Sequence, residues 1–169
     1  MSASEVGRFL AAWEREAART EQLLAALPPG QYDFRPDPGG RSLGELAWHL
    51  AEVDAYMSLV VEQGGYRPEV RPRNLERPRT VEALAPAYAL AHADAVRRIA
   101  ALTDAELARE LPVFSEPMSI RTILWDGTLG HAIHHRGQLA LMCRLAGARP
   151  PAPYGPDREG MAALRKRAE

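Results

Sequence analysis

Apolar residues recur every three or four positions along most of this chain, the spacing that gathers them on one face of a helix. From Ser4 to Leu27 the apolar positions are Val6, Phe9, Leu10, Trp13, Ala17, Leu24 and Leu27, with Glu and Arg between them. This pattern predicts an amphipathic helix, stopped by Pro28-Pro29-Gly30. The prolines and paired glycines of residues 31–41 predict a loop. Ser42 and Glu45 form a capping-box pair that opens a second helix to about Gln63, where Gly64-Gly65 ends it. The linker from Tyr66 to Arg79, with three prolines and five arginines, is too irregular for an element. A third helix is expected from Thr80 to Leu102, with Pro86 in its second turn forcing a kink or a late start. Thr103 to Leu111 adds at most a short helical turn. Ser119 caps a fourth helix that runs to Leu145 and stops before Gly147 and Pro150-Pro151. Gly127 and Gly130 inside it are expected to admit another backbone, or a metal site, at close range. No segment alternates convincingly as a strand, and no repeat is present.

Four amphipathic helices without strands imply an all-α four-helix bundle. The long stretch between the second and third helices suits a crossover, and hence an up-down-down-up order. At 169 residues the chain suits one domain spanning 1–169. A net charge of −1 gives no bulk reason to expect nucleic acid or a membrane surface as partner. The single cysteine, Cys143, excludes an internal disulfide and fits a reducing compartment. The charged N-terminus does not read as a signal peptide, and no run reaches the ~20 apolar residues of a membrane span. A cytoplasmic location is the expectation.

The chemistry lies in the histidines. His131 and His135 stand four apart in the fourth helix, roughly 40° from each other around its axis. Two imidazoles one turn apart form half of a metal site. His49, on the second helix with Leu46, Val53 and Tyr56, is placed to complete it. His134 stands three from His131 and competes with His135 on spacing alone, although the stripe of Leu124, Thr128, His131, His135 and Met142 leaves it to one side. His92 lies among Tyr88, Ala95 and Ile99, where a packed histidine is expected over a fourth ligand.

His49 behind its capped helix start, the run HxxHHRGQ at 131–138 and the later GxxPPxxYG resemble the DinB/YfiT-like superfamily of metal-binding four-helix bundles. The likeness covers nearly the whole chain. It implies a ligand set of His49, His131 and His135, and so decides against His134.

Three neutral imidazoles leave a divalent ion its full charge and an open position. The donors suit Zn, Ni, Fe or Mn. Such an ion activates either water or a small thiol. The resemblance favours the thiol: a transferase using a low-molecular-weight cosubstrate of the bacillithiol or mycothiol type, acting on an electrophile. The alternatives are a metal-dependent hydrolase, for which the ligand stripe offers no acid or base, and a non-catalytic metal-binding stress-response protein. The resemblance also admits a homodimer.

Other residues carry less. Gln138 is equally suited to orienting a bound molecule and to bonding within the bundle. Arg136 points off the stripe and suits an ion pair. Tyr56 could reach the site from the second helix, although an aromatic at helical spacing suits the core; Asp54 is off the His49 stripe, and Glu45 is claimed by the cap. Tyr154 suits packing of the tail onto the bundle. Cys143 lies eight residues past His135, about 80° round the helix, and reads as packing. Arg67, Arg71, Arg73, Arg77 and Arg79, interrupted by Glu69 and Glu76 and without aromatic interleaving, read as a solvated connector and not a nucleic-acid surface.

Overall fold

Side chains at both helix starts do what their chemistry allows in the computed structural model, which describes residues 4–73 and 75–168. Ser4 accepts the Gly7 N–H at 3.0 Å and opens α1 (Glu5–Ala25). Two more free N–H groups there, of Glu5 and Val6, donate at 2.8 and 2.9 Å to the carboxylate of Asp104, far along the chain. Ser42 and Glu45 form the full capping box of α2 (Leu43–Gln63), at 2.8 and 3.2 Å. Gly64, in the left-handed conformation at φ 72°, closes α2.

α3 spans Leu84–Ile99, a late start that leaves Pro86 in the first turn, where its missing N–H would have had no helical partner. A 3₁₀ turn, Asp104–Glu106, follows. The expectation of no strand fails next: β1 (Glu110–Val113) pairs antiparallel with β2 (Glu116–Ser119), Leu111 opposite Met118 and Pro112 opposite Pro117. Phe114 turns the hairpin at φ 51°, a conformation that costs a non-glycine residue strain.

Ser119 caps the fourth long helix as expected, but that helix is not α-helical throughout. It starts as α4 (Ile120–Thr122), widens to a π-helix over Ile123–Gly130 and continues as α5 (His131–Leu145). Thr128 Oγ1 reinforces the wide turn by donating to the Ile123 carbonyl at 2.9 Å. Gly127 and Gly130 lie in this segment and do not provide the close approach expected of them. A Cβ on Gly127 would rest 3.8 Å from Met57 Sδ, and one on Gly130 would meet only the Trp125 carbonyl of the same helix, at 3.3 Å. The charged C-terminal segment forms α6 (Arg158–Ala168), tethered by ion pairs from Arg144 and Arg149 to Asp157 and Glu159.

α1, α2, α3 and the fourth helix form the bundle, around cores that include Leu24, Leu43, Leu50, Leu84 and Leu139 in one part, and Phe9, Trp13, Ile99, Ile123 and Leu124 in another. Polar groups stitch the helices together. Asp54 on α2 is fully buried, and its carboxylate accepts from Trp13 Nε1 on α1 at 3.1 Å and from Tyr88 Oη on α3 at 3.1 Å. It also lies 2.8 Å from Nδ1 of His92, likewise on α3. Arg136 on α5, only 4 % exposed, donates to the Glu16 carbonyl of α1 at 2.7 Å and pairs with the Glu16 carboxylate. Tyr154 donates to the same carboxylate, which holds the tail on the bundle. Cys143 is buried with Sγ toward the Ala26 carbonyl, and burial pushes its thiol pKa up, as befits a packing residue. Among the described residues no helix is long and apolar enough to cross a membrane.

Candidate metal centre

His49 projects from the second turn of α2, while His131 and His135 project from the first two turns of α5. The bundle brings the three rings together. Their centroids are 4.6 Å (His131–His135), 4.8 Å (His49–His135) and 5.5 Å (His49–His131) apart. One nitrogen from each ring lies within 4.8 Å of the other two.

Each ring is also fixed from behind. His49 Nδ1 lies 3.2 Å from Glu52 Oε2, one turn further along α2. His135 Nδ1 lies 2.6 Å from Gln138 Oε1. His131 hydrogen-bonds the Gly127 backbone. A carboxylate or carbonyl oxygen on one nitrogen sets the tautomer and leaves the other as a lone pair.

Electrostatics push the same way. Burial lowers the pKa of His131 and of His135, against the Gln138 hydrogen bond that raises the latter, so the neutral, ligating form prevails at pH 7. The hydrogen bond from His49 holds the Glu52 carboxyl below its usual range despite partial burial. His131 Nε2 and His135 Nε2 come within 2.8 Å of each other. With both rings donating through their other nitrogen, two lone pairs face each other there, and a shared cation removes that repulsion. The donor set therefore fits a divalent ion with three protein ligands and an open side.

The other sequence candidates fall outside the cluster. His134 is exposed, its ring packed edge-on at 5.1 Å from that of His135. His92 is buried against Trp13 and Asp54, with no partner for Nε2 among the described residues. Asp54 and Arg136 serve the bundle, and Glu45 serves the α2 cap. Gln138 binds His135. Tyr56 does not enter the core but lines a cavity of about 620 Å³ beside the cluster, together with His49, Glu52 and His131.

Sequence reasoning missed two contributors to this place. Glu52 supplies the acidic group that the ligand stripe was said to lack, and its position three residues after His49 was the available signal. The second is the cavity wall. Gly65 packs on Pro112, where a Cβ would come within 2.8 Å of the proline ring, and Tyr66 N–H donates to the Pro112 carbonyl at 2.8 Å. The Tyr66 and Phe114 rings meet at 4.7 Å. Linker and hairpin thus close one side of the cavity. The linker is also less free than a solvated connector, since Arg77 reaches the carboxylates of Glu45 and Glu52 at 3.6 and 3.9 Å.

A four-helix bundle with three converging imidazoles beside an open cavity defines a class of helical proteins with a candidate metal centre. The family comparison agrees: the model of the DinB superfamily matches residues 12–139, and the chain belongs to that superfamily. It is 26% identical over 152 residues to YrdA of Bacillus subtilis, described as an uncharacterized protein, covering 89% of each chain. Its fold is similar to that of a DinB-like protein from Bacillus cereus, with a TM-score of 0.72 and 25% identity, over 90% of this chain and 99% of the other. A second DinB-like protein, YjoA of Bacillus subtilis, shares the fold with a TM-score of 0.69 and 21% identity, over 86% and 96% of the two chains.

Proposed function

We propose that His49, His131 and His135 hold a divalent metal ion and that the protein is a metal-dependent transferase using a low-molecular-weight thiol of the bacillithiol or mycothiol type. The observation that carries this reading is the convergence of three back-supported imidazoles, two of them (His49 and His131) on the wall of a cavity large enough for a small molecule. A divalent ion at such a site supplies Lewis acidity, which favours the thiolate form of a thiol beside it. The protein's own residues then position the reactants. Glu52, the Gly127 backbone and Gln138 keep the rings in register. Val53, Met57 and Ile123 offer apolar surface to the electrophile. In the transfer the thiol sulfur forms a bond to carbon while the leaving group departs with its electron pair, and the thiol proton passes to solvent at the open mouth.

The test is direct. Purified protein should contain close to one equivalent of Zn, Ni, Fe or Mn by elemental analysis, and the metal-loaded form should conjugate a small thiol to monochlorobimane. Bound metal with no turnover for any thiol would falsify the transferase reading. Glu52 favours one other reading, a hydrolase in which this carboxylate is the base. Its pKa is depressed and it is engaged by His49 and Arg77, which suits holding a ring better than taking a proton. Hydrolysis of an activated ester that disappears in Glu52→Gln with metal content retained would support the hydrolase instead.

A further inference from the structure

Charge on the cavity wall is unbalanced. Three charged side chains line it besides the histidines: Arg41, Glu52 and Arg71. Glu52 is committed to His49 and Arg77. Nearby Arg35 and Arg77 both pair with Glu45. Arg41 and Arg71, by contrast, make no hydrogen bond or ion pair with another described residue. Arg41 nonetheless lines the same cavity as His49 and His131. The two guanidiniums arrive from different segments, Arg41 just before the α2 cap and Arg71 from the linker. The wall also carries apolar Val53, Met57, Val113, Met118 and Ile123.

Both arginines are exposed, so their guanidiniums meet solvent on one side and, on the other, an apolar wall that focuses their field into the cleft. A guanidinium in that setting is complementary to a planar oxyanion, which it binds through two parallel hydrogen bonds. We propose that Arg41 and Arg71 recognise the carboxylate of a small amphipathic substrate whose apolar body occupies the cavity beside His131. This inference rests on the metal-dependent reading above, and it adds the substrate class: an anionic molecule with an apolar body, not a neutral or cationic one.

Calorimetric titration of the full-length protein with 4-phenylbutyrate and with its uncharged isostere 4-phenylbutyramide tests it, on zinc-loaded and on chelator-treated samples. The acid should bind about tenfold more tightly than the amide, or better, in both forms. The double variant Arg41→Ala/Arg71→Ala should level the two affinities while keeping the wild-type zinc stoichiometry and helical circular dichroism. Equal affinity for acid and amide in the wild type, or no binding of the acid at millimolar concentration, overturns the proposal. So does a preference for the acid that survives the double substitution. A preference seen only in the zinc-loaded sample also overturns it, because the acid would then be bound to the ion. A protein that takes up no zinc defeats the metal-dependent reading alone, since the chelator-treated comparison still reads the arginines.

Discussion

His131 and His135 differ from His134 in what stands behind each ring. His131→Ala and His135→Ala are expected to abolish tight metal binding and leave the helical circular dichroism intact, whereas His134→Ala keeps the metal. Elemental stoichiometry of the three variants checks this, and loss of metal in His134→Ala alone would reverse the assignment. The sequence put His49, His131 and His135 forward through the i, i+4 spacing, which α5 keeps, and through the family resemblance that decided between His135 and His134; the structure brings these three rings together. Glu52 and Gln138 were equally present in the sequence, each three residues after a histidine, but that spacing has many uses and only coordinates single one out. Gly44 teaches the same lesson about packing. It lies inside the capping box, where a Cβ would fall 2.3 Å from the Tyr32 ring, and its N–H donates to the Tyr32 carbonyl at 2.9 Å. Gly44→Ala must displace that ring, and a loss of about 1–3 kcal/mol is expected in urea unfolding. A loss below about 0.5 kcal/mol, the level of an ordinary surface substitution, would show that the ring moves freely.

Between elements, buried polar groups hold the helices in register. Asp54→Ala removes the common partner of Trp13, Tyr88 and His92, and a destabilisation of at least about 1–3 kcal/mol, the cost of one buried donor left without an acceptor, is expected by denaturant titration. The Glu16–Arg136–Tyr154 contact adds a pH dependence. Burial alone would raise the Glu16 pKa, but hydrogen bonds from Tyr154 and Arg136 and the charges of Arg136 and Arg19 outweigh it and hold the carboxyl below its ordinary 4.5. The unfolded chain therefore binds this proton more readily than the folded one. The contribution is complete above the unfolded value and disappears as pH falls through the lower folded value. Stability measured between about pH 5 and pH 3 should fall less steeply in Glu16→Gln than in the wild type. Equal slopes would mean that the contact does not titrate. The helices themselves were readable from caps and periodicity, including the delayed start at Pro86. The hairpin was not, because a proline in each strand removes ladder donors and the usual strand signature. The π segment was hidden as well, since its apolar positions fit an ordinary helix and only the hydrogen-bond pattern differs. α6 carries few apolar residues in a strongly charged segment, with Met161 and Leu164 exposed, and ion pairs hold it in place.

Over the whole molecule, labour is divided between the bundle and the segments laid against it. α2 and α5 carry the imidazoles, whereas Tyr66, Val70, Arg71, Val113, Phe114 and Met118 on the cavity wall come from the linker and the hairpin. Phe114→Gly, which relieves the left-handed strain and removes the ring facing Tyr66, should leave the metal stoichiometry unchanged. The same variant should weaken binding of apolar ligands severalfold in calorimetric titration; unchanged affinity would show that the hairpin tip does not shape the cavity. Because the tailoring surfaces belong to the linker and the hairpin and not to the helices that carry the histidines, exchanges there are expected to alter the cavity wall first, with Arg77 tying the linker to the histidine cluster through Glu52. A lineage built on this scaffold is thus free to change its clientele by trimming loops, while the histidines stay where they are.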